Sequence, residues 1–581
     1  MVKRSFLVAL AVGLLLGSRS PAQVPAANTT VHFVVIGDRT GGHQAGVYDQ
    51  IIGEIQRLKP DFAVTVGDQI EGYTDDSVQL KSQWAEYFTI VKPLTMPVYL
   101  TPGNHDITTD AALPVFRSVV GDPYRSFDVG DRHFIILDNS RWESSDQLPK
   151  EELDWLASDL ALHATAPEKF VFFHKPFWYN SVAVGKADIL HSLFVMFGVT
   201  AVFSGHFHRY FSGKYDGIMY TAVGSSGAEA GDDPSGIGYH FLWVTADSGE
   251  VSVSPVKLGG VEAWDKLGAE DMHHIDKITR QGVTFDASVP VSGDLTVSKG
   301  PVTVKVQNLA KNLPVTDTLR WTTADGWKVE PKLAPLTIPA GGSVTLKFEV
   351  TGAGPLYPTP QLSLKLPFAA GQSVPVTRTL PIARTALCRH LDKVPIIDGN
   401  IDDPAWKAPV TGLFGPDGSP VSIESTFCYF AYDRNNLYLA MKCRESRTDS
   451  LRASTTARDG GVFGEDCVGY FLQPDLKKDT VYQIYFNALG TVFDQKISRF
   501  LGDEYSGDKS WNGTYTVKSS RGQDYWSVEA QIPLSQLGLK AKPGTRCGIN
   551  FLRKQQRLHG AADWQVPIDY DPKSFGVLLF E

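Results

Sequence analysis

The 581-residue chain is predicted to be multidomain, with a layered α/β domain first and two all-β sandwiches after it. Its length far exceeds what one hydrophobic core supports and fits about three domains. Over the first 260 residues, short apolar runs alternate with helix-like stretches. Beyond residue 283, short runs of alternating polarity separated by Gly, Pro and Asp replace that pattern.

In chain order, Lys3 and Arg4 precede the apolar run Phe6 to Leu16, and small residues follow as far as Ser20-Pro21-Ala22. That is the pattern of a secretory signal peptide over residues 1–22, cleaved at Ala22 or a few residues later. The run is too short for a stable membrane anchor, and no other stretch is long enough for a spanning helix. The mature protein is expected to be periplasmic or secreted. A net charge of −9, with no basic cluster, excludes nucleic acid or an anionic membrane as the main partner.

Residues 30–260 carry the chemistry. The runs VHFVVI, FAVTV, PVYLT, KFVFF and VTAVFS are β-branched and aromatic, as in buried strands. Helix-like stretches, such as Val47 to Leu58 and Glu151 to Leu162, lie between them. Each strand run ends in a polar cluster: Asp38 in GDRT, Asp68 in GDQI, Asn104-His105-Asp106 in GNHD, His174 in VFFHKP, and His206 with His208 in SGHFH. Ligand sites of layered α/β folds collect where loops leave the carboxyl ends of strands. Carboxylates, an amide carbonyl and imidazoles suit divalent Mn, Fe or Zn. One aspartate can bridge two such ions, and a pair about 3.5–4 Å apart clamps the oxygens of a phosphoester undergoing in-line displacement. Taken singly, Asp38 and Asp68 also read as helix N-caps, His174 as a turn residue and His206 with His208 as a solvated pair. All five clusters in one order point to a two-metal hydrolytic site.

These motifs, from Val31 to Lys257, resemble the calcineurin-like metallophosphoesterases, whose fold is a double β-sandwich flanked by helices. The resemblance implies a layered α-β-β-α domain in which Asp68 bridges two divalent metal ions. Asp38 and His208 would hold the first, and Asn104, His174 and His206 the second. It implies that His105 stands beside the scissile phosphate, stabilising charge or protonating the leaving group, with Asp106 as its supporting partner. One departure stands out. The family's first motif reads Asp-any-His, and here it is Asp38-Arg39-Thr40. His43 swinging in, a water, or a first site filled only with substrate would each make up for the missing imidazole. Arg39 reads either as a phosphate contact or as an exposed loop arginine, and His273-His274 as surface residues.

Twelve of the fourteen histidines precede residue 275, while all five cysteines lie at or after Cys388, so thiol chemistry is excluded from the first domain. Cys547 to Arg553 has the spacing of a cysteine phosphatase, but it sits in an alternating strand pattern without a phosphate-cradling loop. Cys428 and Cys443 face each other if the turn between their strands is centred on Asn435 and Asn436, close enough for a disulfide.

Residues 283–382, with VTVKVQN, LRWTT and SVTLKFEVT, are expected to form an immunoglobulin-like β-sandwich acting as a spacer or support. Residues 388–581 begin with IIDGNIDDPAW and continue through FAYDRNNLYLAMKC, GEDCVGYF and YWSVEAQIPLSQLG. These phrases resemble a family-nine-like carbohydrate-binding module, a β-sandwich that implies a saccharide partner. Trp406 and Trp526 are expected in its core, and Trp511 and Trp564 in polar loops where they can stack on a sugar. The whole reads as an exported phosphoesterase of phosphomonoesters or phosphodiesters, held near a glycan by its C-terminal module. The competing class is a non-catalytic glycan-binding surface protein on a decayed scaffold, with Thr40 as the sign of decay. His105 discriminates, because a scaffold has no use for it.

Overall fold

Val31–Ile36 is a strand covered on both faces, with Phe33 and Val35 turned to one side and Val34 and Ile36 to the other. It sits at the centre of a six-stranded sheet. Phe62–Thr65 and then Val98–Tyr99 continue parallel on one side, and His240–Asp247, Glu250–Lys257 and Gly260–Val261 antiparallel on the other. A second six-stranded sheet runs in the order Arg125–Val129, Arg132–Ile136, Lys169–Phe172, Ala201–Ser204, Ile218–Ala222, Phe211–Tyr215. The two sheets pack through phenylalanines: Phe33 lies edge-on to Phe134 and Phe170, with ring centroids 5.4 and 5.1 Å away. Helices Val47–Leu58, Ser77–Val91 and Leu113–Val119 cover the outer face of the first sheet. Lys150–Leu162, Ile189–Phe197 and Ala269–Gln281 cover that of the second. The four layers follow α-β-β-α, and the parallel strands of both sheets deliver their carboxyl ends to one edge.

This architecture comes from a computed structural model that describes residues 30–230, 236–369, 372–501 and 504–581. The signal peptide expected over residues 1–22 lies outside the described residues. Among them, no helix is long and apolar enough to cross a membrane.

Two four-stranded sheets follow. One holds Val283–Phe285, Val297–Gln307, Ser343–Gly352 and Trp327–Glu330, the other Leu333–Ile338, Val315–Thr322, Gln361–Ala369 and Gln372–Thr379. Their core is continuous with that beneath the second sheet of the first domain, through Met272, Ile275 and Ile278 on helix Ala269–Gln281. The C-terminal region is one twelve-stranded sheet folded on itself about Thr385–His390, so that its halves enclose Cys388, Met441, Tyr470, Phe551 and Trp564.

Several expectations need correction here. Cys428 lies opposite Met441, and Cys443 opposite Thr426. Asp433 Oδ1 accepts from the N–H groups of Asn435 and Asn436, so the turn begins one residue earlier and the cysteines are two positions out of register. All five cysteines are free and buried. Trp564 is core, stacked on Phe551 at 5.1 Å, while Trp511 leans on Tyr482 at 4.6 Å. His273 is half-buried, edge-on to Tyr179 at 4.0 Å, rather than a surface residue.

Candidate metal centre

The first and second strands lead into Asp38 and Asp68, and geometry explains the glycines that open the Asn104 and His206 loops beside them. A side chain at Gly103 would strike Asp68 Oδ1 at 2.2 Å, and one at Gly205 would strike Asp38 Oδ1 at 2.2 Å. Each carboxylate is held in a cradle that only backbone can line. Asp68 takes φ +57°, and its Oδ1 accepts from the His105 N–H at 2.9 Å. Asp38 Oδ2 accepts from the His206 N–H at 2.8 Å and lies 3.4 Å from His208 Nε2. Asp38 Oδ1 is buried with no hydrogen-bond partner among the described residues. An orphaned carboxylate oxygen in such a place costs free energy unless a cation meets it.

Around Asp68 Oδ2 the remaining groups converge. His174 Nε2 lies 3.2 Å from it, 2.8 Å from Asn104 Oδ1 and 3.2 Å from His206 Nδ1. His174 Nδ1 is 2.8 Å from the Val66 carbonyl, which can only accept, so Nδ1 carries a hydrogen and Nε2 is the atom turned to the site. Asn104 Nδ2 donates to the Tyr73 hydroxyl at 2.7 Å, which aims its carbonyl oxygen at His174. Two triads result, Asp68 with His174 and His206, and Asp38 with Asp68 and His208, each offering atoms within 4.8 Å of one another. Asp68 is common to both. Lone pairs turned toward one another and an orphaned oxygen are what a pair of divalent ions would satisfy, so the donor set fits.

The electrostatics agree. Burial works against the charge on Asp68, but His174 and His105 outweigh it and hold the carboxyl far below its usual range. Burial pulls His174 down, and Asp68 outweighs that to raise it to about 9. His206 is pushed well below the usual imidazole range by burial and by His174. Burial pulls His208 down as well, and its hydrogen bond to Asp38 outweighs that to raise it, so the carboxylates draw positive charge onto His174 and His208 while His206 is disfavoured as a cation.

His105 stands at the rim. Its Nδ1 lies 2.8 Å from the Glu71 carbonyl and its Nε2 3.9 Å from Asp68 Oδ2, with the Tyr73 ring edge-on at 4.4 Å. Asp106 does not touch the His105 ring. Its carboxylate accepts instead from the backbone N–H groups of Asp68, Gln69, Ile70 and Gly103 at 2.8–3.2 Å, pinning the Asp68 loop to the Asn104 loop. Thr40, in the position of the missing histidine, turns its hydroxyl to the carbonyls of Asp68 and Ile70, and His43 pairs with Glu71 at 2.7 Å. Arg39 is neither an exposed loop arginine nor a phosphate contact: it is a buried loop residue, donating to the Gln69 carbonyl and to Glu86.

Two positioning groups escaped sequence reading. Asn139 Oδ1 accepts from the N–H groups of His174 and Lys175, and its Nδ2 donates to the Lys175 carbonyl. Tyr73 aims Asn104. The only signal for Asn139 was its place at the end of an apolar run, FIILDN.

Residues 31–210 match the model of the calcineurin-like phosphoesterase family. The serine/threonine-protein phosphatase CPPED1 of Homo sapiens is 28% identical over 221 residues, 34% of this chain and 69% of that protein. The Danio rerio CPPED1 is 30% identical over 160 residues, 24% of this chain and 52% of that protein. A family 9 carbohydrate-binding module from Caldicellulosiruptor kristjanssonii, solved in complex with glucose, aligns with 34% of this chain and 95% of its own, at 17% identity and a TM-score of 0.25. The N-terminal part of this chain is a calcineurin-like phosphoesterase domain.

Proposed function

We propose that the chain is an exported, metal-dependent phosphoesterase acting on phosphomonoesters or phosphodiesters. The observation that carries it is the convergence of Asp38, Asp68, Asn104, His174, His206 and His208, with His105 beside them. Asp38, Asp68 and His208 would hold one divalent ion, and Asp68, Asn104, His174 and His206 a second. Bound there, two such ions supply Lewis acidity toward phosphoryl oxygens and lower the pKa of water. The protein's part is positional. Asp106 and Asn139 fix the loops, and the Glu71 carbonyl orients His105 so that Nε2 faces the site. From there His105 stabilises charge on a phosphoryl oxygen or gives its proton to the leaving oxygen.

Thr40 does not argue for decay. Its hydroxyl ties the first motif to the second, and Asp38 Oδ1 keeps no hydrogen-bond partner among the described residues. The test is hydrolysis of bis-p-nitrophenyl phosphate and p-nitrophenyl phosphate by the full mature chain, metal-stripped and then reloaded with manganese. Hydrolysis is expected only with metal, with kcat lowered about 10²–10⁴-fold in His105→Ala. Failure of both esters in every metal state would leave the scaffold reading in its place. Export rests on the Lys3 to Ala22 pattern. N-terminal sequencing of the secreted product is expected to begin within a few residues after Ala22, and an intact Met1 would overturn it.

A further inference from the structure

One side of the metal centre, at Asn104 and His206, opens into a cavity of about 790 Å³ whose far wall belongs to the C-terminal module. The near wall includes Tyr73, Asn104 and His206, with the cations Arg141 and Lys175 beside them. On the module, Val481–Asn487 and Val492–Leu501 alternate: Ile484 and Phe486 face one apolar cluster, while on the opposite face Tyr485 and Phe493 pack in a second with Phe471 and Phe575, and this face, with Gln483 bonded to Gln495, borders the cavity. Tyr570 joins them. The interface is hydrogen-bonded on several sides of this chamber. Asp75 Oδ2 accepts from the Gly461 N–H at 2.7 Å, and Lys509 Nζ donates to the Thr108 carbonyl at 3.2 Å. Glu143 joins Lys175 at 2.7 Å to Ser506 at 2.5 Å.

The two walls differ in chemistry. One offers cations and metal ligands, which suit a phosphoryl group. The other offers aromatic rings with the carboxamides of Gln483 and Gln495, and Lys509, Lys554, Asp569 and Asp571 beside them, a mixture of ring faces and polar groups that suits the C–H faces and hydroxyls of a saturated ring. The volume lies in the range of small-molecule sites. We propose that the C-terminal module is a structural wall of the active-site cavity, and that the cavity takes a saccharide phosphate rather than a phosphorylated protein segment. The phosphate end of this assignment rests on the phosphoesterase reading above, whereas the wall and its ring-binding chemistry do not.

The test is calorimetric binding to the full-length His105→Ala chain in manganese, with glucose 1-phosphate, glucose, inorganic phosphate and a phosphoserine peptide as separate probes. Glucose 1-phosphate is expected to bind at least tenfold more tightly than any of the other three. Gln495→Ala, on a strand, and Tyr570→Ala, in a loop, are each expected to remove that advantage, so either folded variant decides. Equal binding of inorganic phosphate or of the peptide, or an unchanged advantage in a folded variant, overturns the proposal. Metal-dependent hydrolysis of p-nitrophenyl phosphate by the wild-type chain reports the phosphoesterase reading separately. Its absence, with glucose 1-phosphate binding retained, sinks that reading and leaves the wall standing.

Discussion

Asp106 shows how much of this site is backbone held by one side chain. Its carboxylate accepts four N–H groups from two loops, those that carry Asp68 and Asn104. An amide at this position can keep some acceptor contacts, but it turns an NH₂ group toward backbone donors. Burial and the Asp68 carboxylate push the Asp106 carboxyl well above its usual range, so the loss rests on the mismatched buried amide rather than on charge, and Asp106→Asn is expected to cost about 1–3 kcal/mol. Because the same bonds place Asp68, manganese affinity should fall with stability. Urea unfolding and manganese titration on one variant check both. A loss of stability with unaltered manganese affinity would show that the loops find their places without Asp106.

At the scale of elements, a second histidine cluster has nothing to do with the active site. His133 on strand Arg132–Ile136 lies 2.8 Å from Asp128 and 2.7 Å from Asp159 of helix Lys150–Leu162, and it stacks on His163 at 3.7 Å. Burial pulls His133 down, but its bonds to Asp159 and Asp128 outweigh that and leave it above its ordinary 6.5. Burial raises Asp159 and His133 outweighs it, leaving the carboxyl below its ordinary 3.8. A raised histidine stabilises fully below its unfolded pKa and stops doing so as pH rises through the folded one. A depressed aspartate does so above its unfolded pKa. The pair is thus strongest between about pH 4 and 6.5. The stability advantage of wild type over His133→Gln, read from urea midpoints, is expected to shrink as pH rises above 6.5. An advantage flat from pH 5 to 9 would rule this out. What was legible in the sequence follows from the same distinction of range. The five strand-end clusters could be read because strand, glycine and ligand are adjacent along the chain. The Cys428 register could not, because it turned on whether Asp433 or Arg434 opened the turn. Trp564 looked like a loop aromatic because its neighbours are polar, yet a guanidinium from Arg384, 4.8 Å from its ring, helps bury it. Nor could the chamber be foreseen, since its walls come from positions such as Tyr73 and Tyr570, which only the folded chain brings together.

For the whole molecule, the cores define what unfolds together. One apolar cluster runs from Ile135 and Phe211 in the phosphoesterase domain, through Met272, Ile275 and Ile278, to Val304, Leu364 and Leu366 in the middle sandwich. Helix Ala269–Gln281 is the link, with its apolar residues buried between the two. The C-terminal module has its own core around Met441, Val468 and Phe551; it meets the first domain through hydrogen bonds about a polar chamber, and the middle sandwich through Phe414, 4.9 Å from Tyr357, and Val566, two residues at the edge of the shared cluster. Apolar cores couple strongly because removing one face exposes the other to water, whereas hydrogen bonds to a partner can be replaced by water. Calorimetry is therefore expected to show one transition shared by the phosphoesterase and middle domains and a separate one for the module. Ile278→Ala leaves a cavity at the junction and should destabilise the shared transition by about 2–5 kcal/mol while leaving the module's in place. If the mutation split the phosphoesterase domain from the middle sandwich, or moved all transitions together, the cores would not be partitioned as their contacts indicate.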